Sequence, residues 1–172
     1  VRAEDSSGDS RTAGFRMVHS IKILQNYVGS LGLSALIIEN PIDLFYLSHL
    51  SLSKGILVIT EKGAELFVDG RYFEAARKQK DLPVLLYEKN SWAKSLQGPV
   101  GFDSTFTSYS QYEDLLSSWP RVKWTPISSP LQPMRARKTP EEISALKKAA
   151  TLTMLGIEHL RKLLKEGISE EE

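Results

Sequence analysis

Two apolar runs joined by a tight link constrain this chain more than anything else in it. Residues 55–60 (GILVIT) and 64–69 (AELFVD) are rich in β-branched and aromatic side chains, and Glu61-Lys62-Gly63 between them supplies a glycine-containing turn. That pattern predicts a β-hairpin, and hence antiparallel pairing. Around the hairpin, helical and strand patterns alternate. Ile21, Leu24, Val28 and Leu31 recur at helical spacing before Gly32, predicting a helix over 18–31. Leu33–Ile38 reads as a buried strand, and Asn40-Pro41 breaks it and opens a helical turn through Leu47. Helices are expected over 72–80, 92–96 and 109–119, and strands over 84–88, 100–103 and 122–127. A hairpin set in such an alternation predicts an α/β fold. Its sheet is a mixed parallel/antiparallel one of about five or six strands with helices on both faces, followed by a long C-terminal helix.

Beyond residue 127 the character changes. Pro126, Pro130 and Pro133 disfavour regular structure. A basic segment, Met134–Lys138, then leads into Thr139-Pro140-Glu141-Glu142, where a threonine cap, a proline at the first helical position and a glutamate three after the cap form a capping box. The helix so announced carries Ile143, Leu146, Ala150, Ile157, Leu160 and Leu164 on one stripe. Such a stripe is expected to be covered, by its own domain or by a second copy. Ser169 and Glu172 repeat the capping-box spacing at the last residues, which reads as the start of a further helix and hence as a truncated chain. Three segments are expected: 1–16 as a disordered extension or cloning remnant, 17–133 as the α/β domain, and 134–172 as a linker and the first helix of a further domain.

Several function classes are disfavoured. A formal net charge of +1 provides no excess of cations for a nucleic-acid backbone. The absence of cysteine removes disulfides and thiolate chemistry and fits a reducing, cytoplasmic setting. No apolar run approaches the ~20 residues of a membrane span. His19, His49 and His159 lack zinc-site spacing. Three acids, Glu39, Asp69 and Asp103, end expected strands; a pair of hard cations between them is conceivable, but acids after strands ordinarily accept backbone hydrogen bonds. Neither a nucleophile elbow nor a phosphate loop is present, and Trp92, Trp119 and Trp124 stand apart from basic residues, as core aromatics do.

The joint Asp69-Gly70-Arg71-Tyr72 stands where a strand hands over to a helix. Asp69 can cap the helix, Gly70 allows a sharp turn, and Arg71 with Tyr72 occupies the first helical turn. The other reading makes Arg71 a carboxylate clamp at a cleft, through its planar fork. His49, beside Tyr46 in the loop after a short helix, is the histidine best placed for binding.

Residues 35–38 (ALII), 40–42 (NPI), 46–48 (YLS), 67–72 (FVDGRY), 100–103 (VGFD), 134–143 (MRARKTPEEI) and 166–170 (EGISE) occur in an order that resembles the amino-terminal domain of the creatinase, prolidase and aminopeptidase P group. The resemblance spans nearly all of 17–172. It implies a mixed α/β first domain and, beyond Glu172, a "pita-bread" domain holding two divalent ions, manganese or cobalt. No metal ligand and no catalytic residue is carried onto this segment. The implied activity of the parent is hydrolysis of Xaa-Pro bonds in proline-containing peptides, with this domain shaping the substrate cleft and a homodimer. Tyr46, His49, Arg71 and Tyr72 match cleft-facing positions. His49-Leu50 departs from the glycine and aromatic pair often found there. The same fold also serves creatine hydrolysis without metal and non-catalytic protein-interaction modules.

Overall fold

The computed structural model describes residues 7–80, 82–88, 92–94, 96–164, 167 and 169, with side chains from Met17 onward. In chain order it contains α1 (Ser7–Ser30), β1 (Ala35–Ile38), α2 (Pro41–Ser48), β2 (Gly55–Ile59), β3 (Ala64–Val68), α3 (Gly70–Ala76), β4 (Val84–Leu86), β5 (Gly98–Asp103), α4 (Tyr109–Ser118), β6 (Val122–Ile127), α5 (Gln132–Ala136) and α6 (Pro140–Leu163).

All six strands join one sheet in the order β4-β3-β2-β1-β5-β6. The hairpin partner β2 runs antiparallel to β1 and β3, whereas β1–β5, β5–β6 and β3–β4 pair in parallel. Five strands therefore point one way, and their carboxyl ends share an edge with the start of β2. Alternation divides the core between the faces. Ala35, Ile37, Ile56, Val58, Val100 and Phe102 pack with Trp92, Leu115 and Trp124 in one cluster. Leu36, Ile38, Leu57 and Ile59 alternate with them and are also fully buried, so the central strands read as continuous apolar runs. Helices α1 and α2 pack against β2 and against each other, while α4 lies on β6. In β5 the backbone approaches its neighbours closely. A Cβ at Gly101 would stand 2.6 Å from Ile127 Cδ1 and about 3 Å from the ends of Leu33 and Leu36.

Four local differences from the sequence reading have physical causes. Helix α1 begins at Ser7, so residues 7–16, expected as an extension, are helical. Once Met17–Val28 is nucleated by packing, adding a turn upstream costs little. The segment expected as a short helix over 92–96 is, where described, a turn at 92–94, closed by Leu96 N–H donating to Ala93 O at 3.0 Å. Pro126 lies inside β6, which is tolerated because β6 is an edge strand. Pro133 lies in the first turn of α5, where its missing N–H is no loss.

The chain divides into two compact units between Leu131 and Gln132. In the second, α6 starts at the foreseen box: Thr139 N–H donates to Glu142 Oε2 at 2.8 Å and Glu142 N–H to Thr139 Oγ1 at 3.3 Å. None of its residues is buried, and Leu146, Leu155, Leu160 and Leu164 are each more than half exposed. Among the described residues of this unit, nothing covers the stripe. The repeated box at Ser169 and Glu172 lies outside the described residues.

Candidate functional site

The shared carboxyl edge of the sheet gathers the polar residues the sequence singled out. After β3, one strand in from the β4 side, Asp69 continues in extended backbone and caps α3, with Arg71 N–H donating to Asp69 Oδ1 at 3.0 Å. Arg71 then turns back on the same carboxylate: Nη2 donates to Oδ2 at 2.7 Å and Nε lies 3.2 Å from both oxygens. That hydrogen bonding holds the Asp69 carboxyl below its ordinary range and raises Arg71. The guanidinium also lies over the Tyr72 ring, 5.2 Å from its centroid. Arg71's fork thus already grips a carboxylate of its own chain.

Tyr72 continues the network. Its hydroxyl stands 2.8 Å from Ser53 Oγ and accepts from Ser53 N–H at 3.4 Å, and these contacts hold the phenol below the ordinary tyrosine range. The next residue, Lys54, places Nζ 5.4 Å from the Tyr87 ring centroid. It also acts on Glu39 at the end of β1, whose carboxyl is pushed up by burial and only partly drawn back by that lysine.

Tyr46 and His49 lie at the end of α2. His49 is the C-cap, in the left-handed region at φ 56°, with its N–H donating to Phe45 O at 2.8 Å. Its ring meets Phe45 edge-on at 6.4 Å. The loop between His49 and β2 is held at both ends by the α3 segment: Gln79 Nε2 donates to Ser48 O, and Tyr72 engages Ser53. Those two links tie the Tyr46–His49 corner to the Asp69–Tyr72 joint.

Sequence reasoning missed Ser53 and Gln79, whose roles depend on a fold that brings residues 48–53 beside α3. Gly70 differs from its sequence reading: its φ is not left-handed and a Cβ there would meet nothing within 4 Å, so the turn needs no glycine. Asp103 is no neighbour in chemistry to Asp69. It is buried, and its Oδ1 accepts from Thr105 N–H, Thr105 Oγ1 and Ser129 N–H at 2.9, 2.6 and 3.2 Å. Among the described residues no group of three or more His, Asp or Glu could hold a metal ion, and no helix is long and apolar enough to cross a membrane.

Residues 21–137 match the family model described as Creatinase/Prolidase N-terminal domain. The uncharacterized peptidase YqhT of Bacillus subtilis (strain 168) is 26% identical over 158 residues, which are 86% of this chain and 44% of that protein. The structure of the Xaa-Pro dipeptidase from Bacillus anthracis aligns with a TM-score of 0.76 at 23% identity, over 91% of this chain and 45% of that one. A domain-sized structure, the N-terminal domain of cytoplasmic peptidase PepQ from Mycobacterium tuberculosis H37Rv, aligns with a TM-score of 0.55 at 26% identity, over 63% of this chain and 92% of that one. The chain spans less than half the length of the full-length relatives and most of the isolated domain. On the match across 21–137 and the six-stranded mixed sheet beneath it, the chain belongs to the Creatinase/Prolidase N-terminal domain family.

Proposed function

We propose that this chain is the first domain of an Xaa-Pro peptidase of the aminopeptidase P or prolidase type. In this reading the domain shapes the substrate cleft and the homodimer, and a C-terminal dimetal domain hydrolyses the Xaa-Pro bond. The observation that carries the proposal is the family match over 21–137 in a chain that covers 44% of a peptidase relative. In this reading the two divalent ions, manganese or cobalt, are held by the second domain. The task of the edge follows from the substrate. An Xaa-Pro bond is a tertiary amide without the N–H that general peptidases grip, so recognition must come from the proline ring, the free amino terminus and the limits on peptide length.

Tyr46, His49, Arg71 and Tyr72 are our candidates for those cleft contacts. Support comes from the open edge itself: His49 and Arg71 are exposed, and the space over Gly70 is free for a ligand or domain to approach. Because Arg71 is paired with Asp69, its role would be to present the Tyr72–Ser53 corner, with a substrate carboxylate competing for its fork. Helix α6 suits the first helix of the catalytic domain. At about 3.6 residues per turn, Ile143, Leu146, Ala150 and Ile157 fall on one face and Leu152 and Leu163 on another, the pattern of a helix covered on two sides. A cytoplasmic location accords with the cysteine-free sequence and with the cytoplasmic peptidase PepQ among its relatives.

The test is hydrolysis of an Xaa-Pro dipeptide and an Xaa-Pro tripeptide with Mn²⁺, by this chain and by its full-length parent. Turnover by the parent alone is expected, and the preferred length names the subclass. A parent inert on both, with metal bound, would overturn the proposal.

A further inference from the structure

Away from the carboxyl edge, a cavity of about 460 Å³ opens beneath α1, within the size range of small-molecule sites. Its walls are fixed. The α1 wall is anchored by buried Met17, Leu24 and Val28, and Gln25 Nε2 donates to Thr60 O at 3.2 Å. The hairpin wall at Gly63-Ala64 is locked by Thr60, whose N–H donates to Gly63 O at 2.9 Å and whose Oγ1 accepts from Gly63 N–H at 3.1 Å. The third wall, Leu82-Pro83, is tied to β3 by Leu66 N–H donating to Pro83 O at 2.9 Å.

The lining has a consistent polarity. Ile21 and Leu82 are buried at the floor, with Ala64 and Pro83 beside them. His19 and Lys22, three residues apart on one face of α1, stand at the exposed rim. Neither side chain has a hydrogen-bond or ion-pair partner among the described residues, and no described lining residue is an acid. We infer that this cavity binds an apolar monocarboxylate, its aliphatic or aryl body on the Ile21–Leu82 floor and its carboxylate at Lys22 and His19. A cationic amphiphile would meet Lys22 with like charge and no counter-acid among the described lining residues. The inference rests on this unit's own residues and stands independently of the peptidase reading.

The same chemistry is found in a free fatty acid and in the carboxyl terminus of an apolar peptide. Binding is read by amide NMR shifts in the 172-residue chain on titration with decanoate, N-acetyl-Leu-Leu, decanol and decyltrimethylammonium. Decanoate or the peptide acid is expected to move the amides of 18–25, 63–64 and 82, and the tighter of the two identifies the source. Lys22→Glu is expected to weaken that acid about tenfold and leave decanol unchanged, and Ala64→Trp to remove both by filling the cavity. The inference is overturned by decyltrimethylammonium binding as tightly as decanoate, by shifts centred elsewhere, by an unaltered acid affinity in Lys22→Glu, or by no shift below the micellar concentration.

Discussion

The turns after β3 and β5 begin alike, each with an aspartate at the carboxyl end of a parallel strand, and they do opposite things. Asp103 is 5% exposed and joins β5 to the loop after β6 by accepting from Ser129 N–H as well as from Thr105. Among the described residues the Asp69 side chain hydrogen-bonds only within its own helix start, to Arg71, whose side chain is 68% exposed. The glycines near them differ in the same sense: Gly101 is crowded on three sides, while Gly70 faces open space. One half of this edge is locked shut by packing. The other is left accessible, and its hydrogen bonds hold side chains in place at a surface rather than strand to loop.

The largest effect should therefore come from Asp103→Ala, which strands the Thr105 and Ser129 amides. Losing these part-buried hydrogen bonds to a charged acceptor is expected to cost about 3 kcal/mol in urea denaturation. A loss under about 1 kcal/mol would mean that the locked half is no tighter than the open one. Next comes Gly101→Ala. Its Cβ would sit 2.6 Å from Ile127 Cδ1, and overpacking of that kind costs about 2 kcal/mol. At Gly70 the same change should stay within about 0.5 kcal/mol, since nothing is displaced.

Much of the buried framework was legible in the sequence, because burial and capping leave a local trace. The runs at 35–38, 55–59 and 64–68 announced their strands, and Thr139-Pro140-Glu141-Glu142 announced α6. The parallel strands β5 and β6 could be found, but not that β5 lies between β1 and β6, because pairing of residues 35–37 with 100–102 has no local signature. The open half was legible only as a list of polar residues. That Arg71 grips Asp69 follows from rotamers, and that Tyr72 meets Ser53 follows from how the loop returns, neither of which the pattern of side chains encodes. The start of α1 was missed because Gly8 and Gly14 lower local propensity, whereas the helix is propagated from a packed segment downstream.

His49 tests whether the open half serves binding more than stability. It holds a left-handed backbone at φ 56°, a conformation that disfavours any side chain. His49→Gly is expected to stabilise the chain by about 1 kcal/mol while deleting the ring. In the Xaa-Pro peptidase proposed above, the same substitution should lower kcat/KM for Xaa-Pro peptides about tenfold. Unchanged kinetics in a stabilised protein would remove His49 from the cleft and leave it as a cap.

The smallest effects separate Asp69 from Glu39, at the end of β1, by pH. Asp69 is held below its ordinary value of 3.8 by Arg71, so the stability it contributes is present above that value and is lost as pH falls through the lower, folded one. Glu39 is raised above 4.5 by burial, so the opposite holds: its contribution is complete below 4.5 and is lost as pH climbs through the folded value. Denaturation midpoints should therefore fall on both sides of the interval between those two ordinary values. Asp69→Asn should flatten the acid side alone, and Glu39→Gln the upper side alone. If Glu39→Gln instead steepened the loss on raising pH, Lys54 rather than burial would govern Glu39. The open half would then be an ion-pair network, and its distinction from the locked half would rest on charge instead of accessibility.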